Sequence, residues 1–333
     1  MTETMTTQEH IRGALLAVRR AAPEILARLQ RGLSQPPLEL IYTSHPRWPL
    51  PPLPSNNATR DLRVSILDSS FNPPTKAHLA LACYSRPAEW ASSEDQKISE
   101  EYDANLLLLS VKNVDKSLKA GDATYVQRLE MMTLLAHRIP SVTFDGPIPE
   151  EAEPKPVTSN VAIAVTDQPT FVGKSSVLSQ FLTERLSTLG EGPETSRPEL
   201  TFLLGLDTLE RLFSLRYYPS DSAMACSLRK FLSPYPGDNC RIVSANRVFI
   251  SSIPSPEDWA IESRSLREDL EKSGRIATIN LDQQLSTYSS SAVRESLAKG
   301  DLSSSGNESL IWKDLVTSEV ARYIQEHRLY TSQ

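Results

Sequence analysis

The sequence predicts an α/β fold in which a parallel sheet is wound on both faces by helices, with an extra helix at its N-terminal end. Short apolar runs typical of buried strands alternate with segments whose apolar residues recur every three or four positions, as in helices. Polar segments follow several of the strands directly. In such sheets, ligands bind beside the carboxyl ends of the strands, so these segments are the candidates for a site.

Composition limits the function classes. The 333 residues are 39% hydrophobic and 23% charged, which suits a globular α/β chain. The net charge of -6 argues against a nucleic acid partner. The absence of a long apolar run argues against a membrane partner. Cys83, Cys226 and Cys240 fit no metal or redox spacing, which favours a reducing compartment. We expect a cytoplasmic protein, with the nucleus as a second location.

The N-terminal part has its own pattern. Apolar residues at steps of three or four predict an amphipathic helix over residues 10–30, followed by a proline-rich extended linker over 36–54. Four arginines in the helix would also suit an organelle presequence, but we favour a surface helix packed on the core. The predicted organisation is therefore an N-terminal helix and linker over residues 1–60 and an α/β domain over residues 61–333.

The α/β domain begins with a strand and ends with two helices. Its strands are predicted at 62–67, 105–111, near 142–144, 200–204, 241–245 and 276–281. Helices are predicted from 75 to 82 and over 125–137, 176–189, 257–272, 289–299 and 313–327. Segments 86–103, 146–170 and 190–198 are expected to be surface loops or linkers because they are polar or proline-rich.

The first candidate motif is LDSSFNPPTKAH, residues 67–78, which follows the first core strand. Ser69 and Ser70 are small enough to let backbone amides face a phosphate. Thr75 and His78 lie three residues apart at a helix start, so both can face one anion. The histidine can donate to a phosphoryl oxygen whose charge grows in a transition state. The alternative is an Asn-Pro turn and a capped helix with a surface histidine.

The second candidate motif is YSSSAVR, residues 288–294, which opens a helix after a strand. The hydroxyls of Ser290 and Ser291 can cap free amides and bind phosphate oxygens. Arg294 lies one turn later and can offer a planar fork of donors to the same anion. The alternative is a serine-capped helix with an arginine in solvent.

Other candidates follow strands. Gly205 would let a nucleotide pass close to the backbone, and Asp207 could accept hydrogen bonds from ribose hydroxyls, although a plain strand-to-helix turn explains the pair equally well. Lys112 or Lys116 could neutralise a mononucleotide phosphate unless both are simply solvated. Arg247 could also face the ligand. We assign no residue as a metal ligand.

Together these motifs resemble a known family. The first resembles the signature Gly-Ser-Phe-Asn-Pro-x-Thr-x-x-His of nicotinamide mononucleotide adenylyltransferases, within the nucleotidyltransferase superfamily that carries an H/T-x-G-H motif. The matching residues are Ser70, Phe71, Asn72, Pro73, Thr75 and His78, while Ser69 and Ala77 replace glycines. The second motif resembles the superfamily's Ile-Ser-Ser-Thr-x-x-Arg. The resemblance spans residues 62 to 330 and is greatest to the fungal promoter-of-filamentation branch.

The resemblance implies a Rossmann-like fold and transfer of an adenylyl group from ATP to a pyridine mononucleotide. His78 would contact the α-phosphate, with Thr75, Ser69, Ser70 and Phe71 beside it in the same motif. The other implied contacts are Ser290, Ser291 and Arg294 with the β- and γ-phosphates, and Gly205 and Asp207 with adenosine. Mg²⁺ would bridge phosphate oxygens and remain largely water-ligated.

Three alternatives remain at this point. The acceptor could be phosphopantetheine or the donor CTP, or the chain could be a nucleotide-binding regulatory protein without turnover. A class I tRNA synthetase also has an H-x-G-H motif, but the short chain, acidic charge and missing Lys-Met-Ser-Lys-Ser loop argue against it. Preference for nicotinamide or nicotinate, the oligomeric state and the roles of residues 1–60 and 146–170 are left open.

Overall fold

The computed structural model describes residues 2–52, 62–90, 101–112, 121–139, 159–190, 198–246, 261–299 and 311–331. Within these residues, seven strands form one sheet. They are β1 Leu38–Thr43, β2 Leu62–Asp68, β3 Ala104–Ser110, β4 Val161–Thr166, β5 Pro198–Gly205, β6 Cys240–Asn246 and β7 Ile276–Asn280. Their order across the sheet is β1-β4-β3-β2-β5-β6-β7, and every neighbouring pair is parallel except β1 with β4.

Helices cover both faces of this sheet. They are α1 Thr2–Gln30, α2 Lys76–Ala82, α3 Tyr125–Ala136, α4 Phe171–Thr188, α5 Leu206–Leu212, α6 Asp221–Leu232, α7 Ile261–Lys272, α8 Ser290–Lys299, α9 Ile311–Asp314 and α10 Ser318–Glu326. Side chains of α4, α6 and α7 share one core with the sheet, and side chains of α1, α2 and α3 share a second core on the opposite face. The predicted doubly wound α/β fold with an additional N-terminal helix is therefore confirmed.

Strand β3 shows why the sequence folds this way. Leu106 and Leu108 belong to one core, Leu107 and Leu109 belong to the other, and all four are essentially inaccessible to solvent. A strand covered on both faces must be apolar at every position, because successive side chains point to opposite faces. The unbroken leucine run is the direct consequence.

The proline-rich segments contain two strands that the sequence pattern did not predict. Residues 36–54 were expected to be linker, but β1 lies within them and pairs with β4 at the edge of the sheet. Residues 146–170 were expected to be irregular, but they contain β4, which is buried at all six positions. The prolines precede and follow these strands, where a missing N–H interrupts no ladder. The predicted strand at 142–144 falls outside the described residues.

The two ends of the chain pack against α3. The predicted packing of α1 on the core is confirmed, since Val18 and Ala22 are buried and Arg19 forms an ion pair with Glu130 of α3 at 2.6 Å. The helix predicted over 313–327 is instead divided into α9 and α10. A new helix, α10, begins after Thr317 because the Thr317 hydroxyl caps it by accepting a hydrogen bond from the backbone N–H of Val320. Among the described helices, none has the length and apolar character needed to span a bilayer.

Candidate functional site

A small, open cleft lies at the carboxyl edge of the sheet, and its cavity has a volume of about 120 Å³. It lies where β2 and β5 are neighbours and the strand order reverses, the position at which ligands bind in open α/β sheets. Its lining combines polar and apolar side chains. They include Asp68, Ser69, His78, Gly205, Asp207, Thr208, Asn246 and Ser286, and Leu81, Leu203, Leu281, Leu285 and Tyr288.

His78 is held in one orientation by contacts on both ring nitrogens. The backbone N–H of Thr75 donates to Nδ1 at 3.0 Å, and the Thr75 hydroxyl lies 2.8 Å from the same atom. Because Nδ1 accepts a hydrogen bond, the proton of the neutral imidazole resides on Nε2. Nε2 donates to the hydroxyl of Ser69 at 2.9 Å. The ring therefore presents an N–H donor at the cleft wall.

Thr75 and Phe71 support the imidazole rather than line the cleft. Both side chains are fully buried. The hydroxyl of Thr75 faces His78, so the structure does not direct it toward a shared anion. The Phe71 ring lies 5.5 Å from the His78 ring, and its backbone has a φ of 45°, which is uncommon for a non-glycine residue. This loop, residues 69–75, is called the β2–α2 loop below.

The second motif docks directly on the β2–α2 loop. The hydroxyl of Ser290 donates to the carbonyl oxygen of Pro73 at 2.7 Å. Arg294 donates through Nη1 to the carbonyl oxygen of Asn72 at 2.5 Å and through Nη2 to the hydroxyl of Ser291 at 3.2 Å. The start of α8 is capped by Ser289, whose hydroxyl accepts the N–H of Ala292. The two motifs, distant in sequence, thus form one corner of the molecule.

Asn72 connects this corner to two further parts of the chain. Its amide is buried, and Nδ2 donates to Oδ1 of Asp122 at 2.7 Å. Its Oδ1 accepts the backbone N–H of Ala123 at 3.2 Å and the hydroxyl of Tyr330 at 2.9 Å. The segment that follows α10 therefore holds the β2–α2 loop through a polar contact.

Two arginines flank Asp122 beside the loop. Arg128 lies 3.5 Å from its Oδ2 and also donates to the carbonyl oxygen of Ser70 at 3.4 Å, while Nε of Arg294 lies 3.9 Å from its Oδ1. Burial lowers the pKa of Arg128, and burial raises the pKa of Tyr330. Two guanidinium groups against one carboxylate leave an excess of positive charge, which suits an anion.

The floor of the cleft at β5 is open. A Cβ built on Gly205 would meet no atom within 4 Å, so the strand end leaves free space above the backbone. Asp207 lies two residues later in the first turn of α5 and lines the cleft. This is the arrangement expected for a glycine that admits a ligand and a carboxylate that accepts its hydroxyl groups.

A buried ion pair supports the cleft from below. Nζ of Lys174, on α4, lies 2.5 Å from Oδ2 of Asp68 at the end of β2, and the two side chains are only 6% and 7% exposed. Lys174 also lies over the ring of Phe171 at 5.0 Å. A buried charge of either sign is costly without a partner, so each group compensates the burial of the other.

Several predicted residues lie away from the cleft lining. Lys112 is exposed and pairs with Asp167 at 2.8 Å, which links the ends of β3 and β4. Ser70 contributes its carbonyl to Arg128. Ser69 does line the cleft, but its backbone N–H already donates to the carbonyl oxygen of Leu108. Lys116 and Arg247 lie outside the described residues. No group of three potential metal ligands occurs in the described part of the chain.

Sequence reasoning missed Asp122, Lys174, Asn246 and Tyr330. Lys174 and Tyr330 gain their roles from partners far away in sequence, and no local pattern marks them. Asp122 and Asn246 had a weak signal. Asp122 precedes a helix in a glycine turn, and Asn246 directly follows the strand predicted at 241–245, both of which are positions where polar side chains reach ligands.

One curated relative matches the sequence. It is a protein of Schizosaccharomyces pombe that is named, provisionally, a nicotinamide mononucleotide adenylyltransferase, and it is 31% identical over 173 residues. The match covers 52% of this chain and 51% of the relative, so the chain spans about half of that protein's length. No protein-family model matches the chain.

Solved structures with a similar fold include two of Plasmodium falciparum nicotinic acid mononucleotide adenylyltransferase. The complex with NaAD has 16% identity and a TM-score of 0.46, covering 80% of this chain and 97% of that one. The complex with APC has 14% identity and a TM-score of 0.45, covering 80% and 96%. At these values the fold class rests on the sheet topology described above.

Proposed function

We propose that this chain is a nucleotidyltransferase that transfers the adenylyl group of ATP to nicotinamide mononucleotide, forming NAD and pyrophosphate. The observation that carries the proposal is the contact between the two motifs, Ser290 with Pro73 and Arg294 with Asn72. It joins the loop that leads to His78, a residue of the cleft lining, to Arg294 and to the serine-capped start of α8. The 31% identity to the S. pombe protein supports the choice of reaction class.

The chemistry requires no covalent enzyme intermediate. An oxygen of the mononucleotide 5′-phosphate attacks the α-phosphorus of ATP, and the bond from that phosphorus to the β-phosphate oxygen breaks. Catalysis then depends on positioning and on stabilising the growing charge. His78 donates a hydrogen bond from Nε2 to an α-phosphate oxygen. Arg294 and the backbone amides at the start of α8 bind the departing pyrophosphate.

Mg²⁺ is proposed as the ion that accompanies ATP. When bound with ATP, it would supply positive charge that neutralises the phosphates during transfer. The described carboxylates nearest the loop are already engaged, because Asp68 pairs with Lys174 and Asp122 accepts from Asn72. We therefore assign the ion mainly phosphate and water ligands. Asp207 could supply an outer contact without acting as a cage.

The test is direct. The purified full chain is incubated with ATP, Mg²⁺ and nicotinamide mononucleotide, and NAD and pyrophosphate are measured together. Parallel reactions replace the acceptor with nicotinate mononucleotide or phosphopantetheine, and replace ATP with CTP. Equal formation of NAD and pyrophosphate supports the proposal. Turnover only with another acceptor or with CTP would reassign the substrate, and ATP binding without turnover would favour a regulatory protein.

A further inference from the structure

The order of the strands at the cleft floor suits contacts with the phosphates, the ribose and the base of a nucleotide in succession. From β2 the sheet continues to β5 and then to β6, and neighbouring strands lie about 4.8 Å apart. The carboxyl end of β2 leads to Ser69 and His78, the proposed phosphate contacts, and the end of β5 carries Gly205 and Asp207. A nucleoside triphosphate whose phosphates lie at β2 and whose ribose lies at β5 extends its base toward the end of β6.

Asn246 is the residue at that end. It is the last residue of β6, it lines the cleft, and it is paired in register with Asn280 at the end of β7. Nδ2 of Asn246 donates to Oδ1 of Asn280 at 2.9 Å. An asparagine amide has two N–H donors and one carbonyl acceptor, so this bond leaves one donor and the acceptor for a ligand. While Asn280 presents its Oδ1, the bond favours the orientation of the Asn246 amide in which Nδ2 faces Asn280.

We propose that Asn246 determines specificity for the base by reading the 6-amino edge of adenine. Its Oδ1 accepts from the exocyclic N6 amine while its remaining Nδ2 hydrogen donates to N7, the bidentate pairing that asparagine makes with adenine. Leu285 and Tyr288 also line the cleft and offer apolar surface for the ring. This inference rests on the proposed function, because it takes ATP as the donor nucleotide.

A 6-oxo purine is the informative competitor. In inosine triphosphate, an oxygen acceptor replaces the N6 amine and would face the Oδ1 of Asn246, so an acceptor would meet an acceptor. Asn280 is then a positioning residue, since its hydrogen bond keeps Oδ1 rather than Nδ2 directed at the base. Without Asn280 the amide could reverse and donate to the 6-oxo group.

The test compares ATP with inosine triphosphate, both by kcat/KM with nicotinamide mononucleotide and by calorimetric Kd. The wild-type chain should prefer ATP. Asn246→Leu keeps the volume of the side chain and should lower that preference roughly 5- to 100-fold through loss of ATP affinity. Asn280→Ala should also lower it, but mainly by improving inosine triphosphate. Gln325→Ala, at an exposed position of α10, is the matched amide control and should change neither value.

The outcomes separate the inference from the proposed function. An unchanged ATP preference in Asn246→Leu, or no preference in the wild-type chain, overturns the role of Asn246 even if NAD is formed. If no dinucleotide is formed but ATP binds more tightly than inosine triphosphate and Asn246→Leu removes the difference, the base assignment stands and the transfer reaction fails. Failure of the wild-type chain to bind either nucleotide overturns both.

Discussion

The hydroxyl of Ser290 donates a hydrogen bond to the carbonyl oxygen of Pro73, 2.7 Å away and 217 positions earlier in the chain. Beside it, Arg294 donates to the carbonyl of Asn72. Neither contact belongs to the regular backbone hydrogen bonding of a helix or strand, since both join side chains of α8 to the backbone of the β2–α2 loop. The loop that leads into α2 and His78 is therefore held by a helix that follows β7, the strand at one edge of the sheet.

Replacing Arg294 by lysine should reduce kcat/KM for ATP by about 10- to 100-fold, since a charge-assisted hydrogen bond contributes roughly 1.5–3 kcal/mol. The guanidinium contacts Asn72 and Ser291 at once while facing Asp122, and one ammonium group cannot reproduce that planar fork. Steady-state kinetics provide the measurement. Arg322→Lys, at an exposed position of α10, should retain wild-type activity. Full activity in Arg294→Lys would show that charge alone suffices.

His78→Ala should lower kcat by about 10²–10³, which corresponds to loss of one preorganised donor to a charged transition state. The KM for ATP should change less, because the donor contributes most when charge develops. Circular dichroism and thermal melting should show an intact fold. His327→Ala removes an exposed histidine and serves as the control. A His78→Ala enzyme with unchanged turnover would remove this residue from the mechanism.

Ser69→Ala should raise kcat/KM for ATP by roughly 2- to 10-fold, mainly through kcat, which is the range of one neutral hydrogen bond. In the structure the hydroxyl of Ser69 accepts the Nε2 proton of His78, so it competes with a phosphate oxygen for that donor. Removing it frees the proton without altering the contacts on Nδ1. A rise in KM would instead mean that the hydroxyl itself contacts the triphosphate.

Local pattern predicted more of the fold than of the site's connections. Strands β2, β3, β5, β6 and β7 were predicted because each is an apolar run beside a helical segment. β1 and β4 were missed because they lie among prolines and are defined by pairing with each other, for example Glu39 with Val165. Such pairing joins residues far apart in the chain and leaves no short-range periodicity.

The site shows the same division. His78, Arg294 and Gly205 were chosen from motifs that follow strands, and the structure places all three motifs at the carboxyl edge of the sheet. The partners that orient them, such as Tyr330 on Asn72, come from other segments and were not recognised. Thr75 was chosen for a contact with the ligand, but burial directs its hydroxyl to His78.

Lys174→Met should reduce the free energy of unfolding by about 3–5 kcal/mol, because it leaves Asp68 buried without its partner. Urea denaturation followed by circular dichroism measures the change. Asp68→Leu combined with Lys174→Met should recover part of the loss by removing the unpaired carboxylate. Lys112→Met breaks the exposed pair with Asp167 and should alter stability by less than about 1 kcal/mol. Equal effects of the two single substitutions would contradict the burial argument.

The last prediction concerns acid sensitivity at His137, which follows α3. Its ring contacts those of His10 and Tyr42, its Nε2 is buried without a partner, and burial lowers its pKa to about 4 from 6.5. The unfolded chain therefore binds a proton below about pH 6.5 that the folded chain does not bind until about pH 4. Stability due to this group is complete above pH 6.5 and is lost progressively as the pH falls toward 4.

His137→Phe keeps an aromatic ring against His10 and Tyr42 but cannot bind a proton. The wild-type chain should lose about 2 kcal/mol more unfolding free energy than this variant between pH 7.5 and pH 5, the value expected for a shift of this direction and size. Urea denaturation at both pH values supplies the comparison. His327→Phe, at an exposed position, should retain the wild-type pH dependence. The same loss in His137→Phe as in the wild-type chain would place the acid sensitivity in other groups.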